Sequence, residues 1–118
     1  MKVMNVGIMS REQYKKRTIS IVNGSYKLKK NEPKIWFESI RSLSQVLSNE
    51  NQDLLKLIIK CKPKSLTELE ELSHRKKSNL SRTLKTLSSY GIVSLNKDGK
   101  SLIPTVNATK FKVEFGLN

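Results

Sequence analysis

Apolar residues in the centre of the chain recur every three or four positions, which predicts a series of short amphipathic helices. We expect one helix to begin at the N-cap Ser48 and to close at Pro63. The next is expected to begin at Ser65, which has the spacing of a capping box with Glu68. The residues predicted to face inward from these two helices are Leu54, Leu55, Ile58, Cys61, Leu66, Leu69 and Leu72.

A third helix carries leucines among cationic and hydroxyl side chains, in the segment SNLSRTLKTLSSYGIVSL that begins at Ser78. It is expected to follow a turn at residues 73–75 and to run to about Tyr90, where Gly91 supplies a left-handed stop. The residues predicted to face inward are Leu80, Leu84 and Leu87. The opposite face of this helix is therefore polar and basic.

Two runs of β-forming residues follow, at residues 92–97 and 101–106, on either side of Asp98-Gly99. An Asp-Gly pair between such runs is a strong local signal for a β-hairpin, so a hairpin with its turn at Asp98-Gly99 is predicted. Beyond the hairpin, Lys110 to Phe115 (KFKVEF) alternates between polar and apolar residues. This pattern predicts a last strand.

The first 33 residues predict a strand, a helix and a linker. Lys2 to Met9 alternates loosely and predicts a short strand. Ser10 has the capping-box spacing to Gln13, so a helix is expected to begin there and to end at Asn23-Gly24. The linker, KLKKNEP at residues 27–33, is polar and basic and closes on a proline.

The segment IWFESIRSLSQVLS, which begins at Ile35, allows two interpretations. One is a helix of about three turns with an apolar stripe. The other is a shorter helix capped by Ser39. The stripe would consist of Trp36, Phe37, Ile40, Leu43 and Leu47. Trp36, Phe37 and Ile40 are expected in the core or at a dimer contact, since bulky apolar residues anchor both.

The net charge of the chain indicates the kind of partner that it binds. The chain of 118 residues has 23 Lys and Arg against 10 Asp and Glu, a net charge of +13, which favours a polyanionic partner. Residues 1–30 carry eight basic and one acidic side chain, and residues 74–100 carry seven and one, whereas residues 31–73 carry six and seven. The positive charge therefore lies in the N-terminal segment and in the third helix with its hairpin.

The order helix, short helix, turn, basic helix and hairpin predicts an α+β fold, a winged helix-turn-helix with an N-terminal strand-helix extension and a C-terminal strand. We expect three segments: the basic extension at residues 1–33, the DNA-binding domain at 34–106 and a strand and tail at 107–118. Positive charge at the start of the basic helix opposes the helix dipole, and a phosphate bound there would relieve this conflict. The predicted DNA-binding residues are Lys76 and Lys77 on phosphate, Ser78, Asn79, Ser81, Arg82 and Lys85 in the groove, and Lys97 and Lys100 on the hairpin.

Other kinds of site find little support in the residues. The single cysteine excludes an intrachain disulfide and a cysteine-cluster zinc site, and Cys61 is expected to be a buried small apolar residue. The longest apolar stretch, LLKLII from Leu54, is too short for a membrane span, so no membrane contact and a cytoplasmic location are expected. No nucleophile, metal or phosphate-loop signature is present, and neither an enzyme nor a cofactor is predicted.

A resemblance agrees with this interpretation. Residues 32–106, with EPKIWFESIRSLSQVLS, SNENQDLLKLI, SLTELEELS and KSNLSRTLKTLSSYGIVSL, resemble a family of small prokaryotic winged-helix regulators, broadly of the MarR and ArsR type. The segment MSREQYKKRTISIVNGSY, residues 9–26, resembles the N-terminal extension of that family. His74 departs from the pattern because this turn position is often glycine in helix-turn-helix proteins. The resemblance implies DNA binding, and some members are encoded beside a small toxin and are thought to act as its antitoxin.

These observations predict a sequence-specific DNA-binding regulator that acts as a homodimer and represses its own operon. The dimer is expected because two half-sites must be read, and Met4 to Ile8 and Phe111 to Phe115 are predicted to pair as strands at its interface. Two alternatives stay open. The chain could be an antitoxin that covers a co-encoded toxin protein, or it could bind RNA without strong sequence preference, although aromatic residues for base stacking amount to only 6%.

Overall fold

The computed structural model describes residues 2–28, 30 and 32–117. Within these residues the chain is mixed α+β, with five helices and two small sheets, which confirms the predicted class. The strands are β1 (Val3–Ile8), β2 (Ile35–Phe37), β3 (Val93–Asp98), β4 (Ser101–Val106) and β5 (Lys110–Glu114). The helices are α1 (Arg11–Val22), α2 (Ile40–Val46), α3 (Asn49–Cys61), α4 (Leu66–Ser73) and α5 (Lys77–Ser89).

The first sheet joins distant parts of the chain in the order β2-β1-β5. Both pairings are parallel, with Val6 opposite Ile35 on one side and Val113 on the other. The second sheet is the antiparallel hairpin of β3 and β4. Each of the three segments expected from the sequence contributes one strand to the first sheet, so backbone hydrogen bonds hold the extension and the tail to each other and to the centre.

Serine side chains begin four of the five helices in the described part of the chain. Ser10, Ser39, Ser48 and Ser65 each accept a hydrogen bond from the backbone N–H three residues later, which satisfies one unpaired donor of the helix start. The capping box of Ser10 and Gln13 is complete: the N–H of Gln13 donates to Ser10 Oγ at 3.2 Å, and the N–H of Ser10 donates to Gln13 Oε1 at 3.4 Å. At Ser65 only half of the predicted box forms, because the Glu68 carboxylate accepts from the N–H of Lys64 instead.

The core lies where α3, α4, α5 and the start of β3 meet, with β1 and β2 packed against it. Each of these elements contributes buried side chains to the core. In the helices, the buried positions are largely those that the leucine spacing predicts. The buried members are Val6, Phe37, Val46, Leu54, Leu55, Ile58, Leu69, Leu80, Leu84, Leu87, Ile92 and Val93.

The interpretation of residues 35–47 as one long helix is wrong. Residues Ile35–Phe37 form β2, and the shorter helix capped by Ser39 is the one that occurs. Bulky and β-branched residues favour a strand when a partner strand is present, and β1 is that partner. Phe37 is buried as predicted, whereas Ile40 opens α2 and is 51% exposed, so its assignment to the core is wrong.

The prediction that Cys61 is buried is also wrong, because its side chain is exposed. Cys61 is the last residue of α3, where the core ends. Lys62 then adopts a left-handed backbone, with φ of 48°, and the chain returns to the interior at Pro63, which is fully buried. Leu72, predicted to face inward from α4, is exposed as well and lies in the last turn of that helix.

The predicted strands at both ends of the chain are confirmed, and their expected place at a dimer interface stays a prediction. β1 and β5 pair with each other in a single chain over five residues, from Val3 opposite Lys110 to Gly7 opposite Glu114. A parallel pairing between residues more than 100 positions apart leaves no local mark in the sequence, since the intervening chain must first fold. The outer edge of β5 is thereby turned away from β1.

Candidate nucleic-acid interface

Helix α5 has two sharply different faces. Its leucines Leu80, Leu84 and Leu87 are fully enclosed, with no solvent-accessible surface. They pack against α4 and β3, so the position of the helix in the fold is fixed by apolar contacts on one side. Rigid placement of this kind is what a recognition surface needs, because side chains on packed helices hold their positions better than those on loops.

The outward face of α5 carries the residues predicted to read DNA. Ser78, Asn79, Arg82 and Lys85 are exposed, and Ser81 is half-buried at the flank. In the described part of the chain, no hydrogen bond or ion pair ties the side chain of Arg82 or Lys85 to another residue. Both cations are therefore free to meet a ligand, and they stand three residues apart on the same side of the helix.

The start of α5 has an anionic partner that the sequence pattern did not indicate. Lys76 is the N-cap and its side chain makes no capping hydrogen bond, as the sequence predicted. Instead, Glu70 of α4 accepts a hydrogen bond from the N–H of Lys77 at 2.7 Å, and Lys77 Nζ donates to Thr67 Oγ1 at 3.2 Å. The carboxylate relieves part of the conflict with the helix dipole, so a phosphate is not needed to satisfy this N–H group.

Arg75 was not among the predicted site residues, yet it connects the starts of two helices. Its guanidinium donates to the carbonyl oxygen of Glu50 at 2.5 Å and to Asn51 Oδ1 at 3.5 Å. A cavity of about 230 Å³ opens beside it, lined by Glu50, Arg75, Lys76 and Asn79. The run Arg75-Lys76-Lys77 was the available signal, but only the fold shows that the first of the three turns back to α3.

The turn between α4 and α5 uses a left-handed residue. His74 has φ of 59° and ψ of 25°, and its N–H donates to the carbonyl oxygen of Glu70 at 2.9 Å. Glycine adopts this conformation without strain, whereas histidine adopts it at some cost, less than a β-branched residue would pay. The turn expected at residues 73–75 is therefore present, and His74 takes the geometry that glycine often supplies.

The hairpin places Lys97 and Lys100 in solvent near its tip. Asp98 pairs with Ser101, so the two-residue turn is Gly99-Lys100, one position later than predicted. Gly99 has φ of +65°, which satisfies the usual demand of two-residue hairpins for a positive φ at the first turn residue. At the other end, Asn107 Nδ2 donates to the carbonyl oxygen of Gly91 at 3.0 Å and closes the base of the hairpin.

The aromatic residues that were predicted for the core or a dimer contact take different places. Phe37 is buried and stacks on Tyr90 at the end of α5, with ring centroids 4.3 Å apart and planes at 17°. Trp36 is half-buried: its ring fills the space above Gly7, where a Cβ would lie 2.3 Å from a ring atom, and the Arg17 guanidinium carbon lies over the ring, 4.9 Å from its centroid. Phe37 thus connects the first sheet to α5.

The described residues contain no group of three or more His, Cys, Asp or Glu side chains that could hold a metal ion. Across residues 2–28, 30 and 32–117, none of the helices has the length and apolar character needed to cross a membrane.

Comparison with known proteins gives a family and nothing more. No curated protein and no solved structure matches the chain. The model of one protein family, described as HVO_A0114, matches residues 46–113, from the end of α2 into β5. This match includes α3, α4, α5 and the hairpin and covers more than half of the 118 residues, so the chain belongs to the HVO_A0114 family.

Proposed function

We propose that this protein is a cytoplasmic, sequence-specific DNA-binding regulator of the winged helix-turn-helix type, which acts as a homodimer and represses its own operon. The observation that carries the proposal is the division of α5 into an enclosed leucine face and an exposed face with Arg82, Lys85 and Asn79. An α-helix is about 10 to 12 Å wide, and the major groove is about 12 Å wide. In this proposal α5 is the recognition helix and the β3–β4 hairpin is the wing.

Each exposed cation has a separate role in this proposal. Arg82 reads a guanine through its two parallel N–H donors, while Ser78, Asn79, Ser81 and Lys85 contact neighbouring base edges. Lys76 and Lys77 stand at the helix start and bind phosphate, which positions the helix without reading sequence. Lys97 and Lys100 bring the hairpin to the backbone or the minor groove. Two copies are required because a helix of this kind reads only one half-site.

The direct test is fluorescence anisotropy with a duplex from the region upstream of the gene and a scrambled duplex of equal length, across a salt series. We expect the upstream duplex to bind about a thousandfold more tightly, within the range of specific DNA readers. Both affinities should fall with salt, because lysine contacts release counterions from phosphates. Equal affinity for the two duplexes at every salt concentration would overturn the proposal and leave only a non-specific basic surface.

A second candidate function, an antitoxin that covers a co-encoded toxin, is favoured by one feature. Helix α1 buries none of its residues, and it exposes Ile19 and Val22 together with Lys15 and Lys16. Apolar and basic groups together suit an acidic protein surface with apolar patches. Co-expression with the product of a neighbouring small gene, followed by gel filtration, tests it: co-elution that an Ile19→Asp variant abolishes favours the antitoxin, and separate elution argues against it.

A further inference from the structure

Exposed apolar side chains concentrate on one part of the molecule, the first sheet and its surroundings. Eleven large hydrophobic residues in the described part of the chain are exposed, and eight of them lie before residue 34 or after residue 106. The eight are Val3, Tyr14, Ile19, Val22, Leu28, Val113, Phe115 and Leu117. The last three alternate along β5 and its continuation, with exposures of 48%, 52% and 91%. This segment carries an apolar row that nothing in one chain covers.

Strand β5 is also an edge of its sheet. It pairs with β1 on one side only, in register and without a bulge over five residues. Edge strands present unpaired backbone N–H and C=O groups, and proteins commonly protect them with bulges, proline or charge. β5 has neither a bulge nor a proline, and its charged residues are Lys110, Lys112 and Glu114. Whether these charges block pairing depends on what they would face in a partner strand.

The sequence of this edge is complementary to itself. In an antiparallel pair of two copies centred on Val113, Phe111 lies opposite Phe115 of the second copy, and Lys112 lies opposite Glu114 of the second copy. Side chains alternate between the faces of a strand, so all the apolar pairs fall on one face and both Lys–Glu pairs on the other. The apolar residues lie on the face of the sheet that meets the core, because Val113 is in register with Val6, which is 1% exposed; at the edge strand itself Val113 remains 48% exposed.

The two registers next to the one centred on Val113 are less favourable because they oppose like charges. A pair centred on Lys112 places two lysines directly opposite each other, and one centred on Glu114 places two glutamates there. Directly opposed like charges destabilise a strand pair, whereas opposite charges and aromatic pairs stabilise it. The charges on β5 therefore favour the register centred on Val113 over the two registers next to it, and they do not protect the edge against self-pairing.

We propose that β5 pairs antiparallel with β5 of a second copy about Val113, which joins the two three-stranded sheets into one sheet of six strands. The inference rests on the proposed function only in that the regulator is expected to be a dimer. It identifies the partner as a second copy of this chain and gives the register of the contact. Val113 and Phe115 lose part of their solvent exposure in this arrangement, and neither α5 nor the hairpin contributes a strand to the joined sheet.

Charge exchange on the full chain tests the proposal by sedimentation equilibrium. Lys112→Glu and Glu114→Lys each place like charges opposite each other twice, so each should raise the dimer Kd by about tenfold or more. The double variant restores both pairs and should recover the original Kd to within about threefold. Lys110→Glu is the matched control: it changes net charge as Lys112→Glu does but faces Gly116 of the second copy, so it should leave Kd nearly unchanged.

Disulfide trapping provides a readout that does not depend on charge. In a Cys61→Ser background, Val113→Cys should give a covalent dimer on mild oxidation, because opposite residues bring Cβ atoms to about 4.5 to 5.5 Å. Lys110→Cys should give none, because the two positions would be about 20 Å apart along the strands. A monomeric wild-type chain, a double variant that fails to recover, or trapping at position 110 and not at 113 would each overturn the proposal.

The result separates this inference from the proposed function. Specific binding of the upstream duplex without disulfide trapping at position 113 would support the proposed function and contradict the proposed interface. Trapping at position 113 with equal binding of both duplexes would support the interface and contradict the function.

Discussion

Helices α1 and α5 are similar in length and charge but differ completely in how they are held. Four basic residues and one acidic residue in α1, and three basic residues and no acidic one in α5, give each helix a net charge of +3. α5 encloses three leucines completely, whereas α1 has no buried residue. The net charge of a helix therefore does not predict whether it packs against the core. The leucine spacing of α5 does.

The two kinds of attachment suit different tasks. A helix fixed by leucines holds its outward side chains in place, which direct readout of base edges requires. α1 is held mainly by Arg17, which forms an ion pair with Glu32 at 3.2 Å and lies over the rings of Trp36 and Tyr26. Tyr26 also donates a hydrogen bond to Glu32. An isolated helix of 12 residues is marginal in water, so α1 depends on this polar attachment.

The largest expected difference is in stability. Leu84→Ala should lower the free energy of unfolding by about 2 to 5 kcal/mol, because it opens a cavity in a fully enclosed part of the core. Ile19→Ala on α1 is the matched control and should change it by less than about 0.5 kcal/mol, since Ile19 is 54% exposed. Urea denaturation of both variants measures this. Similar losses would mean that α1 is packed against something that the single chain does not show.

The parts of the fold that local physics controls were predictable from sequence. Ser10, Ser48 and Ser65 cap the helices that their spacing indicates, and Leu80, Leu84 and Leu87 are enclosed as the helical repeat predicts. For the candidate site, the same repeat correctly predicted that Ser78, Asn79, Arg82 and Lys85 are exposed. Side chains opposite a buried stripe of a helix must face solvent, so the exposure of these four residues follows from the periodicity of the leucines.

What could not be predicted depends on contacts between distant residues. The strand at Ile35–Phe37 forms because β1 lies beside it, and its own residues fit a helical stripe equally well. The carboxylate of Glu70 at the start of α5, and the contact of Arg75 with the carbonyl oxygen of Glu50, require α3 and α4 to be in place first. Cys61 has the spacing of a buried residue, but α3 reaches the edge of the core within its last turn, between the buried Ile58 and the exposed Cys61.

The next difference concerns DNA. Arg82→Ala should cost about 1 to 3 kcal/mol of binding free energy on the preferred duplex and abolish discrimination at one base pair, since the proposed bidentate contact to guanine would be lost. Lys15→Ala on α1 removes the same charge and should weaken all duplexes alike, with a salt slope smaller by at most about one unit. Anisotropy on single-base variants of the upstream duplex separates the two patterns. A uniform loss for Arg82→Ala would show that this arginine contacts phosphate and not a base.

The smallest expected effect tests how α1 is attached. Arg17→Ala removes the ion pair with Glu32, in which the two side chains are only 14% and 16% exposed, and the contacts over Trp36 and Tyr26. Amide hydrogen exchange within α1 should rise about tenfold, while exchange in α5 stays the same because its leucines are untouched. Lys16→Ala is the control, since its pair with Glu12, at 3.9 Å, is largely exposed and contributes little.

Each outcome of this experiment bears on the comparison between the two helices. Faster exchange confined to α1 means that Arg17 attaches this helix to the rest of the fold, as three leucines attach α5. It also means that α1 can detach without unfolding the core. Equal acceleration in α5 would show instead that the two helices open together, through β2 and the stacked rings of Phe37 and Tyr90. In that case the packing of α5 alone would not hold its exposed basic face in position, and changes at the N-terminal helix would reach Arg82 through the first sheet.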